Sequence, residues 1–321
     1  MADTILFVCN PAMKSLALLD SLPDDVELSV SLDRDTIGNW APKANILVFN
    51  TDDQDLLRHA FEKATKVQWV HSLMAGVEKK LLPEIRASSV PMTNARGVYA
   101  ESLGEFVILS CLYFAKDIRR MIRQQSEHLW EAFDITEIAG KTMVILGYGE
   151  IGRGCARRAK AMGMRVLGIR RRPELSANDE YAERVLRFED RREVIAEADY
   201  LVVAAPNTPE TKGIVGTEEL AVMKPSAVLI NIGRGPVVNE AALVEALREK
   251  RILGASLDVF DEEPLPAGHP FYDLENVLLS PHSADHTPEW LDDSMRFFLQ
   301  NYSRFRAGAE LENVVNKELG Y

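Results

Sequence analysis

The sequence predicts an α/β protein of two doubly wound parallel-sheet domains, and three observations carry that expectation. Short β-branched runs alternate with helical periods, the alternation occurs in two successive series, and a glycine-rich turn stands between a strand and a helix at the start of the second. With 321 residues, 46% hydrophobic content and 27% charge, the chain has enough apolar material for a large core split between two domains.

The first series places strands near Thr4 to Val8, Val26 to Val30, Ile46 to Phe49, Val67 to Val70 and Val90 to Thr93, a small flavodoxin-like domain. A long helical pattern from Glu101 to Gln125, apolar in its first half and basic in its second, leads to the next series. That series has strands beginning at Met143 and continuing through Met164 to Ile169, Tyr200 to Ala204, Val228 to Ile232, Leu253 to Val259 and Val277 to Leu279, a Rossmann-type order of elements. A helix over Asn239 to Lys250 has Asn239 as its N-cap and Leu243, Ala246 and Leu247 on one face. A last helical pattern, Leu291 to Arg304, is expected to cross back to the first domain. The expected domains are therefore 1–98 with 290–321, and 99–289, with the cleft between them as the default ligand site.

Composition excludes several classes. A net charge of -12 and a pI near 5.1 oppose any sequence-independent nucleic-acid or anionic-membrane surface, because the global field repels phosphate. The three cysteines, Cys9, Cys111 and Cys155, are too few and too scattered for a disulfide scaffold or zinc cluster and read as small buried apolar residues of a reducing compartment. The N-terminus goes from Met1-Ala2-Asp3 straight into a strand without a basic stretch, so no secretory leader is expected. The longest apolar helical run, Phe106 to Ala115, is far short of the roughly 20 residues a membrane span needs. Cytoplasm is the expected location.

The most informative stretch is Thr142 to Pro173. An apolar strand from Thr142 runs into Gly147-Tyr148-Gly149-Glu150-Ile151-Gly152, a G-x-G-x-x-G turn opening a helix. Gly147 suits a tight turn, Gly149 close approach of a pyrophosphate, and Gly152 close helix-to-strand packing, with helix N–H groups offered to phosphate. The following strand, which usually ends in an acidic residue for the ribose 2′-hydroxyl, ends instead in Arg170-Arg171-Arg172. Guanidinium holds a 2′-phosphate that carboxylate would repel, so NADP is expected over NAD, with Arg170 and Arg171 as the phosphate contacts. From Ile151 to Pro173 there are eight basic residues and no acidic one; a merely solvated basic face is the alternative.

Chemistry is expected at the strand ends of the second domain, where Arg234, Glu263 and His282 appear in order. Hydride delivery to a carbonyl carbon builds charge on oxygen, so an acid must supply a proton and a fixed cation must stabilise the developing charge. Histidine suits the first task and arginine the second, while a carboxylate beside the imidazole favours its protonated form. Each residue also has a structural reading: Glu263 as a surface loop residue, Arg234 as a turn cap, His282 as a satisfied histidine. His286, four positions beyond His282, does not suggest a metal pair, because Pro281 and Pro288 argue against a helix there, and no metal is expected. Trp130 and Trp290 read as packing residues, with pocket lining as the alternative.

The segments Gly147 to Gly152, Asp199 to Thr211, Ile230 to Gly235, Leu257 to Pro264 and Ser280 to His282 resemble, in order, the motifs of the D-isomer-specific 2-hydroxyacid dehydrogenase family. The likeness is strong from about Val98 to Thr287 and fainter outside, where Trp69 to Glu78 resembles the family's substrate loop. It implies that the N–H groups of Ala75 and Gly76 hold a substrate carboxylate and that Arg234 binds and polarises a 2-keto acid. It further implies that His282 is the acid/base oriented by Glu263, that Ala205, Pro206, Thr211 and Ile232 line the cofactor, and that Asp258 contacts the nicotinamide carboxamide. A homodimer built on the cofactor domains is implied as well. The arginines at 170 to 172 resemble those of NADPH-preferring glyoxylate and hydroxypyruvate reductases, which points to reduction of a small 2-keto acid to the D-2-hydroxy acid. Arg96, near the hinge, is a candidate second cation for a carboxylate-rich substrate. The rival readings are a dinucleotide-sensing corepressor, which would carry long disordered extensions, a formate dehydrogenase, which would carry glutamine in place of Glu263, and a phosphoglycerate dehydrogenase, which often has further C-terminal domains.

Overall fold

A computed structural model describes residues 3–321; the expected leaderless N-terminus opens with Met1 and Ala2, which lie outside the described residues. The chain divides into two compact units, Met1–Val98 with Thr287–Tyr321, and Tyr99–His286.

The first unit opens with β1 (Thr4–Val8), β2 (Glu27–Ser31), α1 (Arg34–Trp40), β3 (Ile46–Phe49), α2 (Gln54–Lys63), β4 (Trp69–Ser72), α3 (Pro83–Ala87) and β5 (Met92–Asn94). Among the described residues its five strands are all parallel in the order β2-β1-β3-β4-β5, the doubly wound order in which the chain reverses direction across the sheet at β1. The two-residue period of a strand sorts the core: Leu6, Val8, Leu47 and Phe49 join Ile37 of α1 and Leu57 of α2 in one cluster, while Ile5, Phe7, Ile46 and Val48 join another. Asp33 and Asp53 cap α1 and α2, their carboxylates accepting from Thr36 N at 2.8 Å and Leu56 N at 3.0 Å. The fourth strand lies two residues later than its β-branched signal, because Val67 N–H is spent on Ala64 O in the turn that closes α2.

The second unit begins with α4 (Ala100–Ala115) and α5 (Ile118–Ser126). The single helix expected over Glu101 to Gln125 is therefore broken. Asp117 takes a left-handed φ of 47°, and its carboxylate accepts from Arg120 N at 3.2 Å to start the second helix. Aspartate tolerates that conformation as few residues do, and one such residue redirects the chain without disturbing the helical period on either side. Then follow β6 (Thr142–Leu146), α6 (Glu150–Ala161), β7 (Arg165–Ile169), β8 (Arg184–Leu186), α7 (Arg191–Ile195), β9 (Tyr200–Val203), α8 (Thr217–Val222), β10 (Val228–Asn231), α9 (Glu240–Arg248), β11 (Gly254–Leu257) and β12 (Val277–Leu279). All seven strands are parallel, in the order β12-β11-β10-β9-β6-β7-β8. Edge strand β8 escapes the sequence pattern because it is three residues long, opens with an exposed arginine, and exists only through its pairing with β7.

The last helix, α10 (Trp290–Arg306), belongs to the first unit. It buries Met295, Phe298 and Tyr302 with Ile5, Phe7 and Trp69, and the Phe298 and Trp69 rings stack at 5.4 Å. The cysteines are free and buried, and burial pushes the Cys9 and Cys155 thiols up to about 12. Among the described residues, no helix is long and apolar enough to cross a membrane. Trp130 corrects the expectation of packing: it stands wholly exposed in the segment after α5, whereas Trp290 is half-buried.

Candidate active site

Every candidate residue of the second unit follows the C-terminal end of a parallel strand, where crevices form in open α/β sheets. The switch point lies between β6 and β9, the neighbours from which the chain winds outward in both directions. There Gly147 adopts φ +99°, and a Cβ on it would fall 2.5 Å from Ala205 N, so only glycine closes the β6 turn against the residues after β9. A Cβ on Gly152 would fall 2.6 Å from Gly147 O, which seats α6 tightly under the turn. On Gly149, by contrast, a Cβ would meet nothing within 4 Å. Open space above Gly149, with the amides of Glu150 and Ile151 at the helix N-terminus, fits the close approach of a dinucleotide pyrophosphate.

Tyr148, expected to bind cofactor with the rest of the Gly147–Gly152 turn, turns its ring inward instead. Its ring is buried over Gly168, its hydroxyl donates to Asp179 Oδ1 at 2.9 Å and its N–H donates to Ile169 O at 3.0 Å, so it braces the turn from beneath and its ring is withdrawn from ligand contact. Burial alone would raise the Asp179 carboxyl, but the Tyr181 N–H, Arg153 and Tyr148 outweigh it and hold that carboxyl below its ordinary range.

The basic run resolves into two parts. On α6, Arg153 pairs with Asp179 at 2.6 Å and Arg158 with Glu101 at 2.7 Å, while Arg157 also binds Glu101; on β7, Arg165 pairs with Glu183 at 2.8 Å and Glu197 at 2.5 Å. These cations serve the fold's surface. The other part, at the end of β7, is different: Arg170 Nη1 donates to Ser176 Oγ at 2.5 Å, Arg171 Nη2 lies 3.2 Å from Glu210 Oε2, and exposed Arg172 precedes a short 3-10 turn. Ala205, Pro206 and Thr211 form the loop after β9, where Thr211 Oγ1 donates to Pro206 O at 2.5 Å, and Ile232 follows β10, its N–H donating to Val203 O at 3.0 Å.

Three loops after β10, β11 and β12 carry the titratable candidates. Arg234 is half-buried; Asn231 Nδ2 donates to its carbonyl at 3.1 Å, and its own Nη1 donates to Gly233 O at 2.7 Å. Glu263 Oε1 accepts from Phe260 N at 2.9 Å, which turns Oε2 onto His282 Nδ1 at 2.7 Å. His282 holds a left-handed φ of 52°, a conformation unusual for histidine. What holds it there is Asp258, a buried carboxylate whose Oδ1 accepts from Ser280 Oγ at 2.5 Å, Ser283 N at 2.9 Å and Ala284 N at 3.1 Å. Sequence reasoning gave Asp258 a cofactor contact and missed this anchoring; its only sequence signal is an acid directly after an apolar strand. Nearby, burial pushes the Asp285 carboxyl above its ordinary value against the pull of His286 and His282.

In the first unit, Ala75 and Gly76 lie in the loop after β4. Asn94 Nδ2 donates to Ala75 O at 2.6 Å, Ala95 N to Met74 O at 3.3 Å, Ser294 Oγ to Leu73 O, and buried Lys80 reaches Asp52 Oδ1 at 2.6 Å. The loop is thus fixed from β5, α10 and the residues after β3; the sequence pattern placed that strand and helix but gave Asn94, Ser294 and Asp52 no such role. Arg96 Nη2 donates to Asn313 Oδ1 at 3.3 Å.

A seven-stranded parallel sheet with a glycine turn at its switch point, and a carboxylate-backed imidazole on the loops beyond, defines a nicotinamide-dinucleotide-dependent oxidoreductase. A sequence model of the D-isomer specific 2-hydroxyacid dehydrogenase NAD binding domain matches residues 108–284, more than half of the chain, and the chain belongs to that family. It is 31% identical over 299 residues to a glyoxylate reductase of Korarchaeum cryptofilum, covering 87% of each protein. It is 30% identical to a D-3-phosphoglycerate dehydrogenase of Methanocaldococcus jannaschii over 91% of this chain but only 55% of that longer protein. Among solved structures, an NADPH-dependent glyoxylate/hydroxypyruvate reductase from Sinorhizobium meliloti, in complex with NADP and sulfate, superposes over the full length of both chains with a TM-score of 0.85 at 28% identity.

Proposed function

We propose that this protein reduces a small 2-keto acid, glyoxylate or hydroxypyruvate, to the D-2-hydroxy acid with NADPH, in a reducing cytoplasm that its free, buried cysteines suit. The observation that carries the reading is the Glu263–His282 pair at 2.7 Å on loops beyond the switch point of a dinucleotide-binding sheet. When bound, the nicotinamide supplies the hydride. His282 donates its Nε2 proton to the keto oxygen as charge develops there, and its exposed edge lets solvent restore that proton. Glu263, pinned by Phe260 N–H, holds the Nδ1 side and so fixes the ring's orientation. Arg234 binds the 2-keto acid and polarises it, and the Ala75–Gly76 loop takes the carboxylate on backbone N–H groups. Gly149 gives the pyrophosphate its close approach, on a turn that Gly147 and Gly152 shape, and Asp258 faces the carboxamide while it anchors the His282 loop.

Preference for NADPH is supported by Arg170 and Arg171 at the end of β7, where a carboxylate would otherwise meet the ribose. The likeness to glyoxylate and glyoxylate/hydroxypyruvate reductases, one of them NADPH-dependent, agrees with both substrate and cofactor. Homodimerisation through the second unit is supported by the exposed apolar side chains Met121, Ile122, Leu129, Trp130 and Ile135. The test is steady-state kcat/KM for glyoxylate, hydroxypyruvate, pyruvate and a bulky aromatic keto acid, each with both nicotinamides. The small keto acids with NADPH are expected to lead. Equal use of NADH would remove the cofactor reading, and no turnover with any pair would remove the whole.

A further inference from the structure

The loops that carry Arg234 and Glu263 meet at one peptide group, that joining Phe260 to Asp261. Its own N–H, that of Asp261, donates to Glu240 Oε1 at 2.7 Å, and the amide just before it, Phe260 N–H, donates to Glu263 Oε1 at 2.9 Å. A Cβ on Gly235 would fall 2.0 Å from the Phe260 carbonyl carbon, so the residue beside Arg234 is in contact with the same peptide. Glu240 is the first residue of α9, but the helix does not need it as a cap, because Asn239 Oδ1 accepts from Ala242 N at 3.0 Å. Its side chain is only 17% exposed, and its Oε2 lies 3.4 Å from His269 Nε2. His269 is itself fixed: its Nδ1 accepts from Phe271 N at 3.3 Å and its ring packs on Phe271 with centroids 4.6 Å apart. A carboxylate at this depth, held from the far side and aimed at a neighbouring loop's amide, is costly to bury unless the bond it makes matters.

We infer that Glu240 is a positioning residue for the reaction: by gripping Asp261 N–H it keeps the Phe260 amide on Glu263, and so keeps Glu263 aligned on His282 and in register with the Arg234 loop. The inference rests on the reading of Glu263 and His282 as the acid/base pair. Glu240 reaches Glu263 only through the Asp261 and Phe260 backbone, and His282 only through Glu263, and it touches neither substrate nor cofactor in this role. Loss of its acceptor frees the Phe260–Asp261 peptide to turn about the Phe260 backbone, which loosens the amide just before it, Phe260 N–H, that orients the Glu263 carboxylate. Burial pushes the Glu240 carboxyl above its ordinary value, against the Asp261 N–H and His269; burial likewise raises Asp261, against Lys212 and His269. A neutral side chain that keeps an oxygen at the same place should therefore serve as well as the carboxylate.

The decisive comparison is E240A against E240Q in the full-length protein, by steady-state reduction of glyoxylate with NADPH and by NMR titration of the His282 imidazole. E240A is expected to lose roughly ten- to a hundredfold in kcat with KM for NADPH unchanged, the usual scale for an outer-shell partner. Its His282 titration should move, while E240Q keeps both the kcat and the titration of the parent. Should E240A fail to fold, E240D, which withdraws the carboxylate by one methylene, is expected to show the same loss. Retention of kcat and of the His282 titration in E240A, or an equal fall in E240Q, overturns the positioning role. If the parent turns over no 2-keto acid, the proposed reaction fails separately, and the His282 titration in the two variants still decides whether Glu240 positions the pair.

Discussion

His282 depends on two carboxylates that do different work. Glu263 sets the ring, and Asp258 sets the backbone, by binding Ser280, Ser283 and Ala284 around a histidine in left-handed conformation. Replacing His282 with alanine should therefore lower kcat by roughly two to four orders of magnitude with little change in NADPH affinity, as loss of a general acid does; stopped-flow binding and NADPH absorbance measure the two. A second histidine offers a test of stability. His71 is fully buried among Trp69, Phe297 and Phe298 with Nδ1 2.7 Å from Thr93 Oγ1, and burial depresses its pKa from 6.5 to about 3. The unfolded chain thus takes up this proton first, so the stability in question is whole above pH 6.5 and is lost as pH falls from there toward 3. The loss should approach about 1.4 kcal/mol per pH unit. Thermal unfolding between pH 7 and 5 should show Tm falling with pH in the parent and falling less in His71→Leu; identical slopes would contradict this origin. Neither Asp258 nor His71 was legible in these roles from the sequence, because their partners stand 22 or more positions away and are brought close only by strand pairing.

At the scale of elements, the alternation of strands and helices was readable because parallel strands buried on both faces are apolar runs, and helices covering them keep their own period. Two features were not. The break at Asp117 depends on one backbone conformation, and β8 depends on a neighbour, β7, rather than on its own three residues. The basic run through α6 and β7 shows the same limit: its charge is plain in the sequence, whereas the carboxylates that occupy most of it come from Glu101, Asp179, Glu183 and Glu197. This division yields a paired expectation for the cofactor. Arg170→Asp at the end of β7 should lower the NADPH-to-NADH ratio of kcat/KM by roughly tenfold or more, the scale of one hydrogen bond to a charged group. Arg157→Glu on α6, in the same run, should leave that ratio where it was.

For the whole molecule, the exposed stretch from Met121 to Ile135 is the clearest unfinished surface of a single chain: Ile122 is 60% exposed and Trp130 fully so. Sedimentation equilibrium is expected to give twice the 35.9 kDa of one chain, and Ile122→Glu is expected to shift the population toward that single-chain mass. A monomer at every concentration would remove the dimer from the proposal. The sequence by itself determined the class of fold, the glycine turn, the arginines at the end of β7, and which side chains are chemically able to move a proton, because all of these are local in residue type and spacing. Only the tertiary structure decided that Glu263 faces His282, that Asp258 and Glu240 hold their loops, that Tyr148 is core, and that most of the basic run is already paired. Those are relations between loops at the ends of different strands, and a parallel sheet brings such loops together through crossovers that no short window of sequence contains.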